Sequence, residues 1–337
     1  MKLFFFFFFI VFFSFSTIVS TEACGVKKLF VFGDSYVDTG NFMDGSGGWI
    51  VPYGITFPGK PAGRFSDGRC LTDYIASFFG QKSPVPFNQR SSAKKSKLQN
   101  GMNFAYGGSG VFNTFENFPN ITVQIDHLQQ TLREQMYTEN DLHSSIALVS
   151  VGGNDYTAFY EKNIKDIRHW PAFAVSLIDQ LVIDIKRIRD LGVRKIAVTT
   201  IEPQGCVPVS AAEFAYKSCN EKWNNVSMFH NQKLREAVEK LNNEADRSTV
   251  DIVDLYRAMM SVIKRHSGSS KFNPLKPCCE GITSNETCGM VDENGIKMYK
   301  ICDNPKLSIF WDRVHPSQNG WHRIYSALKS SLHRLYI

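Results

Sequence analysis

Three short apolar runs, each ending in glycine and then in polar turn residues, constrain the chain most. Leu29–Phe32 runs into Gly33-Asp34-Ser35 within "LFVFGDSYVDTGN" (Leu29 to Asn41). Met102–Tyr106 runs into "GGSG" (Gly107–Gly110), and Ile146–Val151 into "GGND" (Gly152–Asp155). Runs of this length, closed by turn residues, read as buried strands. Lys28–Phe32, Met102–Tyr106 and Ile146–Val151 are joined by two further candidates, Lys195–Thr200 and Val250–Leu255. Helical patterns lie between and after them. Pro171–Leu191 keeps Val175, Ile178, Val182, Ile185 and Ile188 at three- and four-residue spacing. Glu213–Ala245 is mostly helical in pattern. Gln318–Leu335 sets Trp321, Ile324, Leu328 and Leu332 on one face, with Ser317 as a cap. Strands alternating with helices predict an α/β protein, a three-layer α/β/α sandwich on a mainly parallel, five-stranded sheet. No repeat or linker divides residues 24–337, which read as one domain.

In such a sheet, ligands gather outside the carboxyl ends of the strands. Ser35, the GGSG turn and the GGND turn all open at that edge. A serine there is most simply a helix cap, so a chemical role requires partners. A serine hydroxyl becomes a nucleophile when a base takes its proton, and an imidazole base needs a carboxylate to fix its tautomer. Of the eight histidines, His127, His143, His230 and His266 lie in polar or helical contexts without a carboxylate in an adjacent turn. "FWDRVHPS" (Phe310 to Ser317) differs. Asp312 and His315 stand three apart before Pro316, so no helix has begun, and a tight turn lets the carboxylate reach Nδ1 while Nε2 faces outward. Backbone N–H groups of Ser35 and of the GGSG turn, with the amide of Asn154, supply donors for an oxyanion.

The N-terminus, "MKLFFFFFFIVFFSFSTIVSTEA", has one lysine and then eleven apolar residues from Leu3 to Phe13. That is a signal-peptide pattern for residues 1–23, too short for a membrane span, with cleavage after Ser20 or Ala23. A secreted, extracellular protein is therefore expected. Eight cysteines then read as disulfides with no free thiol: Cys24, Cys70, Cys206, Cys219, Cys278, Cys279, Cys288 and Cys302. The adjacent Cys278 and Cys279 are each expected to reach Cys288, Cys302 or a more distant partner. No CxxC pair speaks for zinc. Sequons at Asn120, Asn225 and Asn285 predict glycosylation. The net charge is +6, but its one local cluster, "KKSK" at Lys94–Lys97, has no interleaved aromatics, which argues against a nucleic-acid partner.

Four blocks now stand in order: "FVFGDSYVDTGN", "NFAYGGSGVF", "LVSVGGNDY" and "FWDRVHPS". Together they resemble the plant GDSL esterase/lipases of the SGNH hydrolase superfamily, across essentially all of the chain after residue 23. The resemblance implies a flavodoxin-like sandwich and an esterase or lipase acting through an acyl-enzyme, with no metal or cofactor, on a small-molecule or lipid ester. It implies Ser35 as nucleophile and oxyanion donor, Gly108 (with Gly107 as the neighbouring candidate) and Asn154 as the other donors, His315 as base and Asp312 as its orienter. Tyr36 stands where the motif has leucine, which bears on substrate fit more than on chemistry. Position 37 is valine, so the stretch is not the G-x-S-x-G elbow of ordinary α/β-hydrolases. Two other activities fit the same residues, acyl transfer and carbohydrate O-deacetylation; a non-catalytic binding glycoprotein is the reading outside enzymes. The loop "GGWIVPYGITFPGKPAGRFSDGR" (Gly47 to Arg69) either walls an acyl pocket with Trp49, Tyr53 and Phe57 or covers the sheet edge.

Overall fold

The computed structural model describes residues 26, 28–162, 167–245, 249–269 and 272–336. The expected signal peptide and Cys24 lie outside these residues. A parallel sheet forms the centre: β1 (Lys28–Gly33), β2 (Val85–Pro86), β3 (Gly101–Asn103), β4 (Ser145–Ser150), β5 (Lys195–Thr199) and β6 (Val250–Val253), in the order β2-β3-β1-β4-β5-β6. The sheet has six strands rather than the five expected. The sixth, β2, is two residues long and contains a proline, which donates no ladder hydrogen bond and therefore sits at an edge. A separate antiparallel pair, β7 (Cys279–Gly281) and β8 (Tyr299–Ile301), was not expected either.

Among the described residues, seven helices of eight residues or more cover the sheet: α1 (Leu71–Phe78), α2 (Ile121–Arg133), α3 (Gly153–Lys162), α4 (Trp170–Asp190), α5 (Glu221–Asn243), α6 (Leu255–His266) and α7 (Gln318–Leu332). One apolar layer packs Leu71, Met259, Trp321 and Ile324 of α1, α6 and α7 against Leu29, Val31 and Leu148. The other packs Ile125, Leu181 and Leu234 of α2, α4 and α5 against Phe30, Phe32 and Val149. Alternate residues of β1 therefore face opposite layers, as the period of two requires, and both faces are dry. This is the expected sandwich. α4 and α7 lie where the apolar spacing put them, and Ser317 caps α7 by accepting from the Gly320 N–H at 2.9 Å.

Strand β1 is central. From it the chain goes to β2 and β3 on one side and then crosses to β4 on the other. The order reverses there, and the crevice at that switch point is where a doubly wound sheet binds its ligand. The turns after β1, β3 and β4 carry Ser35, Gly108 and Asn154 into it.

Three disulfides close on the described residues: Cys206–Cys219, Cys278–Cys302 and Cys279–Cys288. The adjacent cysteines reach two different partners, as their geometry demands. Full pairing is not found among the described residues. Within them Cys70, at the start of α1, is buried and has no disulfide partner, its thiol packed near the Asp38 carbonyl while the other six described cysteines are already paired. Burial pushes that thiol well above its usual pKa.

Candidate active site

Gly33 ends β1 with φ of 146°, and a Cβ there would stand 2.0 Å from the Ser150 carbonyl oxygen of the neighbouring strand. Only glycine lets the chain turn this close to β4. Asp34 then folds the next residues: its carbonyl accepts from Val37 and Asp38, and its Oδ1 accepts from the Tyr36 N–H. Ser35 begins no helix, so the cap reading does not hold in the structure.

The first two glycine turns are tied together by one carboxylate. Asp38 accepts from the N–H groups of Gly40, Asn41 and Phe42 and, across the crevice, of Gly107 at 2.9 Å. Burial pushes its pKa up to about 6 against the pull of those four donors. Gly107 therefore has its N–H occupied. Among the described residues the Ser35 and Gly108 amides donate to no protein group. Asp155 fixes the other flank of the GGSG turn by accepting from Val111 and Phe112. Asn154, at the start of α3, donates one amide hydrogen to the Ser109 carbonyl at 2.9 Å and keeps a second.

The last block arrives as an irregular turn. Pro316 forbids a helix, and the Trp311 N–H donates to the His315 carbonyl at 2.7 Å, closing a loop around Asp312–His315. Asp312 Oδ1 accepts from the N–H groups of Val314 and His315, both at 2.8 Å. His315 Nδ1 lies 2.9 and 2.8 Å from the two carboxylate oxygens, and Nε2 lies 2.8 Å from Ser35 Oγ. Burial alone would raise the Asp312 carboxyl, but the His315 ring and the backbone donors outweigh it and hold the pKa below the usual carboxylate value. An ionised Asp312 makes Nδ1 the protonated nitrogen and leaves the Nε2 lone pair for a serine proton.

Three neighbours of this cluster make contacts that local sequence patterns do not announce. Tyr53 is no pocket wall: it is buried, and its phenol donates to Asp312 Oδ2 at 2.7 Å. Trp49 and Phe57 line a different groove with Arg64, Asp73 and Lys94, so the loop Gly47–Arg69 acts mainly as a cover. Phe65, from the same loop, packs against the His315 ring with centroids 5.0 Å apart. Tyr36 packs its ring edge toward Trp321 and donates its hydroxyl to the Val314 carbonyl at 3.0 Å, tying the serine turn to the histidine turn. Leucine at this position lacks that donor. None of these contacts leaves a trace in local spacing, because the partners are hundreds of residues apart.

The sequons fall in three settings. Asn285 is exposed in the turn between Cys279 and Cys288. Asn225 is exposed on α5, with Ser227 of its sequon buried. Asn120 caps α2 and donates its amide to Asn113.

Residues 29–328 match the family model described as GDSL-like lipase/acylhydrolase. The chain belongs to that family. It is 50% identical over 311 residues to GDSL esterase/lipase At5g03610 of Arabidopsis thaliana, covering 90% of this chain and 86% of the relative. It is 46% identical over 318 residues to GDSL esterase/lipase At3g09930 of the same plant, covering 92% and 90%. The sandwich with its switch-point crevice is thus the fold of a GDSL esterase, and small-molecule esters are the substrate class of this family. No helix among the described residues is long and apolar enough to cross a membrane.

Proposed function

We propose that this GDSL esterase hydrolyses carboxylic esters through Ser35, His315 and Asp312 by way of an acyl-enzyme. The 2.8 Å contact between Ser35 Oγ and His315 Nε2 carries the reading. Ser35 Oγ attacks the ester carbonyl while its proton passes to Nε2, and Asp312 balances the imidazolium. The tetrahedral oxygen takes hydrogen bonds from the Ser35 and Gly108 amides and from the free amide hydrogen of Asn154. Collapse expels the alkoxide, which leaves as alcohol with the proton held on Nε2. Water then attacks the acyl-Ser35 ester, giving its proton to His315, and the acid departs as Ser35 Oγ is reprotonated. Nothing in this sequence calls on a metal or cofactor.

The route is that of an exported protein. Residues 1–23 form a signal peptide cleaved after Ser20 or Ala23, and Asn120, Asn225 and Asn285 carry glycans. The three disulfides support this reading. A fluorophosphonate probe should label the purified enzyme at Ser35, and Ser35→Ala should lose both label and about 10³-fold or more in kcat while keeping its melting temperature. Hydrolysis of p-nitrophenyl butyrate by the folded Ser35→Ala protein at the wild-type rate would overturn the assignment.

A further inference from the structure

Glu202 stands at the same sheet edge, three residues beyond the end of β5, and the acyl-transfer steps make no use of it. A Cβ built on Gly153 would lie 2.7 Å from Glu202 Oε1 and 3.4 Å from Oε2, so the carboxylate rests against the residue before Asn154. It is close enough to interact electrostatically with His315 and with Tyr36, on either side of the serine. It is half-exposed. Its side-chain partner is Gln204, whose amide also donates to the Gly153 carbonyl at 2.9 Å. The positive group that acts on it is the His315 ring.

A carboxylate beside the oxyanion donors repels the negative charge that develops on the substrate oxygen. The position becomes useful when the substrate brings a donor to it. We infer that Glu202 is a specificity-determining residue that accepts a hydrogen bond from a hydroxyl group of the substrate, so that hydroxylated esters are preferred over plain alkyl esters. The inference rests on the serine-esterase reading and names its substrate class. Burial raises the Glu202 carboxyl above its usual range. A hydroxyl suits both protonation states, accepting from the neutral acid or donating to the anion, whereas an ammonium group is served only by the anion.

The test compares kcat/KM for two matched pairs: glycerol monobutyrate against butyl butyrate, and ethyl 3-hydroxybutyrate against ethyl butyrate. The first pair places the hydroxyl on the alcohol side and the second on the acyl side. In Glu202→Leu the hydroxylated-to-plain ratio should fall by about 10-fold or more in at least one pair. Glu202→Gln should recover part of the lost ratio. A role confined to stability would lower both members of a pair together. Unchanged ratios in both pairs, with both variants folded, overturn the inference and leave the esterase reading intact. Failure of the unmodified enzyme to hydrolyse any of the four esters overturns the esterase reading and this inference with it.

Discussion

Tyr53 shows how the carboxylate of the proposed triad is kept in one orientation. Its hydroxyl takes the Asp312 oxygen that the backbone amides leave free, and burial raises its pKa, keeping it a donor. Removing a donor from a buried carboxylate costs more than a neutral bond. Tyr53→Phe should therefore lower kcat by about 10-fold with little change in KM, since the imidazolium loses a well-held counterion. Steady-state kinetics check this; an unchanged kcat would reduce Tyr53 to a packing residue. Asn154 offers a sharper comparison. Asn154→Ala removes a donor and should cost about 10²–10³-fold in kcat. Asn154→Asp, although nearly isosteric, sets a carboxylate against both the Ser109 carbonyl and the developing oxyanion. It should be at least as damaged as the alanine variant, and a near-normal kcat for it would remove Asn154 from the oxyanion site.

The element that carries Asp312 is held from behind. Cys278 and Cys279 donate their N–H groups to the carbonyls of Phe310 and Trp311, just ahead of Asp312, and the disulfides to Cys302 and Cys288 pin them in place. Replacing Cys279 and Cys288 together by serine should cost roughly 2–4 kcal/mol of stability. It should also lower kcat, because the base turn loses its backing; a lower melting temperature with full kcat would separate the two roles. The same region marks the limit of what spacing reveals. Long helices such as α4 and α7 were legible because a whole face repeats every 3.6 residues. Strands β1 and β4 were legible because a dry sheet demands unbroken apolar runs. Strands β7 and β8 are three residues each and held by disulfides rather than by apolar pattern, so nothing periodic announces them. Likewise Asp312 and His315 could be paired by their spacing of three, whereas Tyr53 and Phe65 meet them only through the closed fold.

At the scale of the molecule, the crevice gathers buried carboxyl groups. Burial pushes Asp38 up to about 6 and Asp155 up to about 7, and Asp34 lies well above the ordinary carboxylate value. Between that ordinary value and these raised ones, the native chain holds protons that the unfolded chain has released. Stability from these groups is fully present below about pH 4 and is lost as pH rises through 6 and 7. Buried His230 opposes them: its pKa is pushed down to about 3 from 6.5, so below 6.5 the unfolded chain gains a proton the native chain refuses. His127, also lowered by burial, acts in the same direction, and the three carboxyl groups outweigh the two imidazoles. The calorimetric Tm should be higher at pH 5.5 than at pH 8, and a Tm that rises across that interval would contradict the assignment.

The distance along the chain between Ser35 and His315, 280 residues, also sets an order of events during synthesis. The proposed nucleophile leaves the ribosome early, and its proposed base 280 residues later. α7, which follows the base directly and packs on α1 and α6, is later still. Throughout translation the growing polypeptide thus displays a serine with no means of activating it. In the proposed mechanism, activation of Ser35 waits until the His315 turn has been made and folded onto it.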